Sequence, residues 1–329
     1  MNAFFSPPPA SRRAAITLLL IASCQAGLAA AASPKPTKTV RLLTVGNSFS
    51  QNATRQLGHL ATNAGHTLIH QPIVVGGASL ELHWGRAAAF EKDPASTNGL
   101  YSNKQSLKQM LTAQPWDFVT IQQASIKSHD AATYRPFAQQ LHDHIKRHAP
   151  KAEVLIHQTW AYRVDDPRFK VTSPKAGEPA TQAQMYEQLT RAYSTIAAEL
   201  GLRRIPVGDA FYLADTDPKW GYRPDAKYDF KDKSQTALPD QTHSLHVGWR
   251  RSKGKDGKES LGMDGHHANV AGEYLGACVW FEVLYGESVV GNDFITPGLD
   301  KVHARFLQET AHRAVLASRT RHASEIIPP

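Results

Sequence analysis

The chain has 329 residues, 41% of them hydrophobic, enough to bury a sizeable core in one elaborated domain or two small ones. Its formal net charge is +8, from 37 Lys+Arg against 29 Asp+Glu, and the excess is spread along the chain. So mild and scattered an excess argues against a nucleic-acid partner, and the densest basic stretch (Arg250, Arg251, Lys253, Lys255, Lys258), interleaved with Ser252, Gly254 and Gly257, reads as a solvated loop.

The N-terminus has the parts of an export signal. Arg12-Arg13 precede the apolar run Ala14 to Ala22, and small residues follow as far as Ser33. Residues 1–32 are therefore read as a signal peptide, 33–39 as a linker and 40–329 as a single domain. The apolar run is too short for a good membrane span. Two cleavage readings compete. Ile21-Ala22-Ser23-Cys24 resembles a lipobox, which would anchor the protein through a lipid on Cys24. Ala29 to Ala32, followed at once by Ser33-Pro34-Lys35-Pro36, suits ordinary signal peptidase, and this reading is preferred. The expected location is secreted or periplasmic, and the twin arginines hint at the twin-arginine route. Loss of the segment leaves 35 basic against 29 acidic residues, a net of +6. Cys278, the other of two cysteines, lies on an expected helix face, where packing is the natural role; without a disulfide the exported chain relies on its core.

Beyond the linker, strands and helices alternate. Val40 to Val45 is an apolar run ending at a glycine, and a helix is expected over Asn52 to Ala64. Thr67 to Val75 is a second strand ending in Gly76-Gly77, and Trp116 to Ile121 a third. A helix around Tyr134 to His148 carries Phe137, Leu141 and Ile145 on one face. Glu153 to His157 is a fourth strand, Met185 to Leu200 a helical stripe and Arg204 to Val207 a short fifth strand. This alternation predicts a parallel sheet covered on both faces. Two long polar segments, 165–180 and 218–261, interrupt it and are expected to be loops. An amphipathic helix follows through Ala271, Leu275, Cys278 and Phe281, and a last helix runs from about Leu299 to about Arg319.

Four segments carry candidate chemistry. Gly46-Asn47-Ser48-Phe49-Ser50 follows the first strand, where an open parallel sheet presents its ligand crevice. Ser48 is placed there as a nucleophile at a helix N-terminus, with helix capping as the alternative role. Gly76-Gly77 follows the second strand and lets a backbone N–H approach a developing oxyanion, or forms an ordinary turn. Gln122-Gln123 end the third strand, and a side-chain amide is a neutral donor suited to an oxyanion hole or to capping the strand end. In Met263-Asp264-Gly265-His266-His267, Asp264 and His267 meet if the segment is one helical turn, and the carboxylate then orients His267 toward Ser48. His266 is the competing base if the turn is not helical. His83 and Trp160 are the candidate substrate-contacting residues; with Trp84 and Tyr162 they lie near expected strand ends, where packing is the alternative role.

In this order the segments resemble the blocks of the SGNH (GDSL-like) hydrolase superfamily. The first block, usually G-D-S, is here Gly46-Asn47-Ser48; the second matches Gly77; the last, D-x-x-H, is Asp264 to His267. The third block normally supplies Asn, and Gln122 or Gln123 stands in its place. The G-N-S-F-S block, the G-G-x-S-L-x-x-H segment completed by His83, and the W-D-x-V-x-x-Q-Q-x-S strand resemble one bacterial branch of that superfamily, over roughly Val40 to Gly286. The resemblance implies a flavodoxin-like three-layer α/β/α fold and an esterase. Ser48 would be the nucleophile, His267 the base and Asp264 its orienting partner, with the Ser48 and Gly77 backbone N–H groups and the amide of either Gln122 or Gln123 around the oxyanion. The G-x-S-x-G elbow of the α/β-hydrolases is absent around Ser48. No metal and no organic cofactor are needed, and the expected partner is an acyl ester, such as an acetyl group on a carbohydrate. Two other readings stand beside it. One is a metal-dependent hydrolase using His243, His246, Asp264, His266 and His267. The other is a non-catalytic carbohydrate-binding protein on the same scaffold. An acyltransferase would use the same Ser/His pair with an acceptor other than water.

Overall fold

A computed structural model describes residues 36–326 except 172–176, 233 and 256, together with residues 1, 3 and 6. The expectations for the signal segment and Cys24 lie outside the described residues.

Five strands form the central sheet: β1 (Thr39–Gly46), β2 (Thr67–Val74), β3 (Phe118–Ile121), β4 (Glu153–His157) and β5 (Arg203–Ile205). Their order is β2-β1-β3-β4-β5, and every pairing is parallel. In β1, Val40, Leu42, Leu43, Thr44 and Val45 are all buried, as a strand covered on both faces requires. Helices α3 (Leu80–Lys92), α4 (Leu107–Thr112), α5 (Phe137–His148) and α6 (Gln182–Leu200) pack on one another in one layer. The second layer comprises α1 (Ser48–Thr54), α2 (Leu57–Asn63), α7 (Val207–Asp215), α8 (Val270–Tyr285) and α9 (Lys301–Ile326). This is the expected three-layer α/β/α arrangement with flavodoxin-like strand order. The described residues from Thr37 onward form one compact unit.

Three local expectations change. The helix expected over Asn52 to Ala64 is two helices, α1 and α2, broken at Arg55-Gln56. Near the break Thr54 Oγ1 donates to the Ser50 carbonyl at 2.8 Å, a back-bond that bends helices. Helix α8 is not amphipathic: every residue from Ala271 to Tyr285 is buried, because α1, α2, α7 and α9 pack around it. The segment 218–261 is not all loop. It holds β6 (His246–Lys253) and the start of β7 (Glu259–Ala268), an antiparallel pair separate from the main sheet.

Asp215, the last residue of α7, is buried with Oδ2 accepting from Gln182 Nε2 at 2.9 Å, while Oδ1 has no hydrogen-bond partner among the described residues. Burial raises its carboxyl to about 7, outweighing the Gln182 hydrogen bond and the positive charge of Arg163 and Arg223. A carboxyl held above its unfolded value binds its proton more tightly when folded. It therefore costs the fold nothing below about pH 4, and the penalty grows until the pH passes about 7, reaching about 4 kcal/mol. Asp215→Asn is expected to match the wild type in thermal melts at pH 4 and to melt higher at pH 8. Equal melting temperatures at both pH values would contradict the raised carboxyl.

Candidate active site

In a sheet of this order the connection from β1 leads to β2 on one side and the chain returns to β3 on the other. That opens a crevice at the C-terminal ends of β1 and β3. Gly46 ends β1 there. A side chain at Gly46 has no room, since its Cβ would sit 2.6 Å from Ser50 Oγ and 2.7 Å from Gln122 Oε1. Asn47 follows as the buried N-cap of α1, and its side chain makes three bonds. Oδ1 accepts from the Phe49 N–H at 2.9 Å and from Gln122 Nε2 at 2.7 Å, and Nδ2 donates to the Ala78 carbonyl at 2.9 Å. The last bond clasps the turn carrying Gly77 to the start of α1, helped by Val75 N–H donating to the Gly46 carbonyl at 3.1 Å. Ser48 is the first residue of α1, and Gly77 holds φ +65°, a left-handed conformation that glycine adopts without strain. Among the described residues, neither the Ser48 nor the Gly77 backbone N–H has an acceptor.

Asp264 and His267 come to this point from β7. The expected helical turn is not formed: both lie in a strand, and α8 begins only at Val270 behind the N-cap Asn269. Residues three apart on a regular strand face opposite sides, so a different device brings them together. Gly248 pairs with Asp264 and His246 with Ala268, so three residues of β7 oppose the single Val247 of β6. This bulge folds His267 back over Asp264. His267 Nδ1 lies 3.0 Å from Asp264 Oδ2, its backbone N–H donates to Oδ1 at 3.1 Å, and its Nε2 lies 3.0 Å from Ser48 Oγ. The bulge is pinned by its carbonyls and N–H groups. Trp160 Nε1 donates to the His266 carbonyl at 2.9 Å, Arg163 N–H to that of Gly265 at 2.8 Å, and Ala268 N–H to Asn52 Oδ1 at 3.3 Å. Asn52 lies one turn along α1 from Ser48 and donates to Glu273 of α8 at 3.2 Å, so one side chain ties α1, β7 and α8 together. Gly265 is a close approach: a Cβ would meet Asp166 Oδ2 at 2.4 Å.

Burial pushes the Asp264 carboxyl up, but hydrogen bonds from the His267 ring and N–H and the nearby His266 outweigh it, and the group is held well below the usual carboxylate range. An ionised Asp264 accepts only, so it fixes Nδ1–H on His267 and leaves Nε2 to accept from the Ser48 hydroxyl. His266 faces elsewhere. Its Nδ1 accepts from Arg168 at 2.9 Å and lies 3.1 Å from Asp264 Oδ1. Burial lowers its titration, Asp264 opposes, and His267 and Arg168 add to the lowering. Arg168 also grips the buried Asp166 with two bonds and covers the Tyr162 ring at 3.9 Å.

The other candidate residues fall outside this arrangement. Gln122 and Gln123 are not oxyanion donors here; both are buried in the framework. Gln122 spends its amide on Asn47 and lies 3.0 Å from His157 Nδ1, while Gln123 Nε2 donates to Thr133 and its Oε1 accepts from the Leu80 and Ala124 N–H groups. His83 is not a substrate contact. It is fully buried between Tyr101 (2.9 Å) and the Gly46 carbonyl (3.2 Å), with burial lowering its titration to about 4. Trp160 is fully buried too, its ring 4.4 Å from both Phe49 and Phe211. Tyr162 is buried and Trp84 packs against the core. Of the proposed metal ligands, Asp264, His266 and His267 cluster. His246 instead bonds the Ala161 carbonyl at 3.1 Å, and His243 packs beside Trp220 and His303. Sequence reasoning missed Asn52 and Asp166. The position of Asn52 one helical turn from Ser48 was a usable signal; nothing local marked Asp166, which lay in a segment read as loop.

The fold and this cluster define a three-layer α/β/α protein with a serine, a histidine and an aspartate in hydrogen-bonded series at the sheet's switch point. Residues 41–214 match the family described as a domain of unknown function, DUF4886, and the chain belongs to that family. It is similar to the crystal structure of a DUF4886 family protein from Bacteroides uniformis, with 26% identity and a TM-score of 0.62 over 84% of this chain and 95% of that one. A candidate SGNH hydrolase from Slackia heliotrinireducens is more distant, at 21% identity and TM-score 0.44 over 74% and 98% of the two chains. So is a candidate GDSL-like lipase from Parabacteroides merdae, at 10% and 0.43 over 77% and 99%. A search of curated proteins returned no match.

Proposed function

We propose that the protein is an exported SGNH-type serine esterase. The observation that carries this reading is the continuous series Asp264–His267–Ser48, with 3.0 Å at each link. Ser48 Oγ attacks the acyl carbonyl carbon while its proton passes to His267 Nε2. The carbonyl electron pair moves to oxygen, where the Ser48 and Gly77 N–H groups receive it; each such donor is worth on the order of 3 kcal/mol. The intermediate collapses, the alcohol leaves with the proton from His267, and water repeats the sequence to free the acid and Ser48. The chemistry calls on no cofactor. An acetyl ester on a carbohydrate is the first substrate class to examine, on the strength of the export signal alone, since the buried Trp160 and Tyr162 offer sugars no face.

The test is covalent. A fluorophosphonate probe is expected to add one mass increment to the purified protein, mapping to Ser48. Ser48→Ala is expected to abolish labelling and lower turnover of p-nitrophenyl acetate by about 10⁴-fold. Unchanged turnover in the variant would overturn the assignment, and glycan binding without any turnover would select the non-catalytic reading.

A further inference from the structure

In the α3–α5 layer, three ligand-type side chains meet apart from Ser48, Asp264 and His267. His144 and His148 stand four residues apart on one face of α5, and Glu91 reaches them from the last turn of α3. His148 Nε2 is 3.1 Å from Glu91 Oε1, and His144 Nδ1 is 3.9 Å from the same oxygen. One ligand atom from each residue lies within 4.8 Å of the others. A tetrahedral ion with bonds near 2 Å needs ligand atoms about 3.3 Å apart, so small rotations of these side chains suffice. His144 is 2% exposed, and Nδ1 is the ring nitrogen it turns toward Glu91. Lys108 of α4 holds the other oxygen of Glu91 at 3.2 Å, which orients the carboxylate and leaves Oε1 to the histidines.

We propose that Glu91, His144 and His148 form a binding site for a divalent transition-metal ion of the zinc class. Two imidazoles and one carboxylate suit such an ion and not magnesium or calcium, which take oxygen ligands. The ion would join the end of α3 to α5. Helix α3 begins directly behind the Gly77 turn and carries His83 beneath the Gly46 carbonyl, so the ion acts as a brace for that helix.

The probe is zinc chloride, titrated calorimetrically into the chelator-treated, untagged protein. One tight site is expected, with a melting temperature that rises with zinc. Glu91→Gln and His148→Gln are expected to weaken binding by at least about tenfold and to remove the thermal shift, while hydrolysis of p-nitrophenyl acetate stays at the wild-type level. The second variant serves where the first fails to fold, as judged by circular dichroism. Because Asp264, His266 and His267 could also gather an ion, His266→Ala is the companion variant. Unchanged affinity in both glutamine variants, or binding lost only in His266→Ala, would overturn the proposal.

Discussion

His267→Ala is expected to lower kcat/KM for a small acetyl ester about 10⁴-fold, while His266→Ala stays within about tenfold of the wild type. The two rings are neighbours in sequence and their centroids lie 4.1 Å apart, so composition alone does not choose between them. Their partners do. Only His267 presents a ring nitrogen to Ser48, at 3.0 Å, with its other nitrogen on a carboxylate. His266 spends Nδ1 on Arg168 and meets the Tyr162 ring edge-on at 5.7 Å, so its removal disturbs the wall of the site rather than the proton path. Steady-state kinetics of the two variants, with folding checked by circular dichroism, decides the matter. Equal losses in both would mean that the imidazoles act as a unit, and a larger loss at His266 would reverse the assignment.

Asp264→Asn is expected to cost about 10³- to 10⁴-fold in kcat/KM with little change in KM. The carboxamide is nearly isosteric, so the loss would come from proton placement. Asp264 Oδ1 already accepts from the His267 N–H, which would hold the oxygen of an asparagine in that position and turn its NH₂ toward Nδ1. Nδ1 would then have to accept, the proton would move to Nε2, and the ring could no longer take the Ser48 proton. Kinetics of Asp264→Asn beside Asp264→Ala tests this. If the asparagine variant kept near wild-type kcat, the carboxylate's charge and acceptor role would be irrelevant to turnover.

Much of the sheet was legible because buried parallel strands are short, continuous apolar runs. Glu153 to His157 emerged with the expected bounds, and the other four strands within two residues at each end. Helix α3 escaped notice because Glu81, Arg86, Glu91 and Lys92 dilute its pattern, and α7 because a nine-residue helix gives little periodicity. Polarity hid the β6–β7 pair: a two-stranded ladder of mostly half-buried polar residues has no apolar alternation to betray it. In the site, Ser48, Asp264 and His267 were recognisable by spacing and residue type, but the bulge that joins the last two depends on a partner strand about 20 residues earlier. The glutamines and His83 misled for one shared reason. A polar side chain at a strand end serves equally as framework or as ligand contact, and only burial and partners separate the two.

Asn52 bridges the start of the chain to its final third, and the backbone of Ala53 leaves Gly276 of α8 no room for a side chain. Helix α1 thus finishes its packing against sequence made more than 200 residues later. A ribosome-bound intermediate would own the hydroxyl but neither the imidazole nor the carboxylate. Ordering contacts over so long a separation is slow, so Ser48, His267 and Asp264 come into series only once the whole domain has folded.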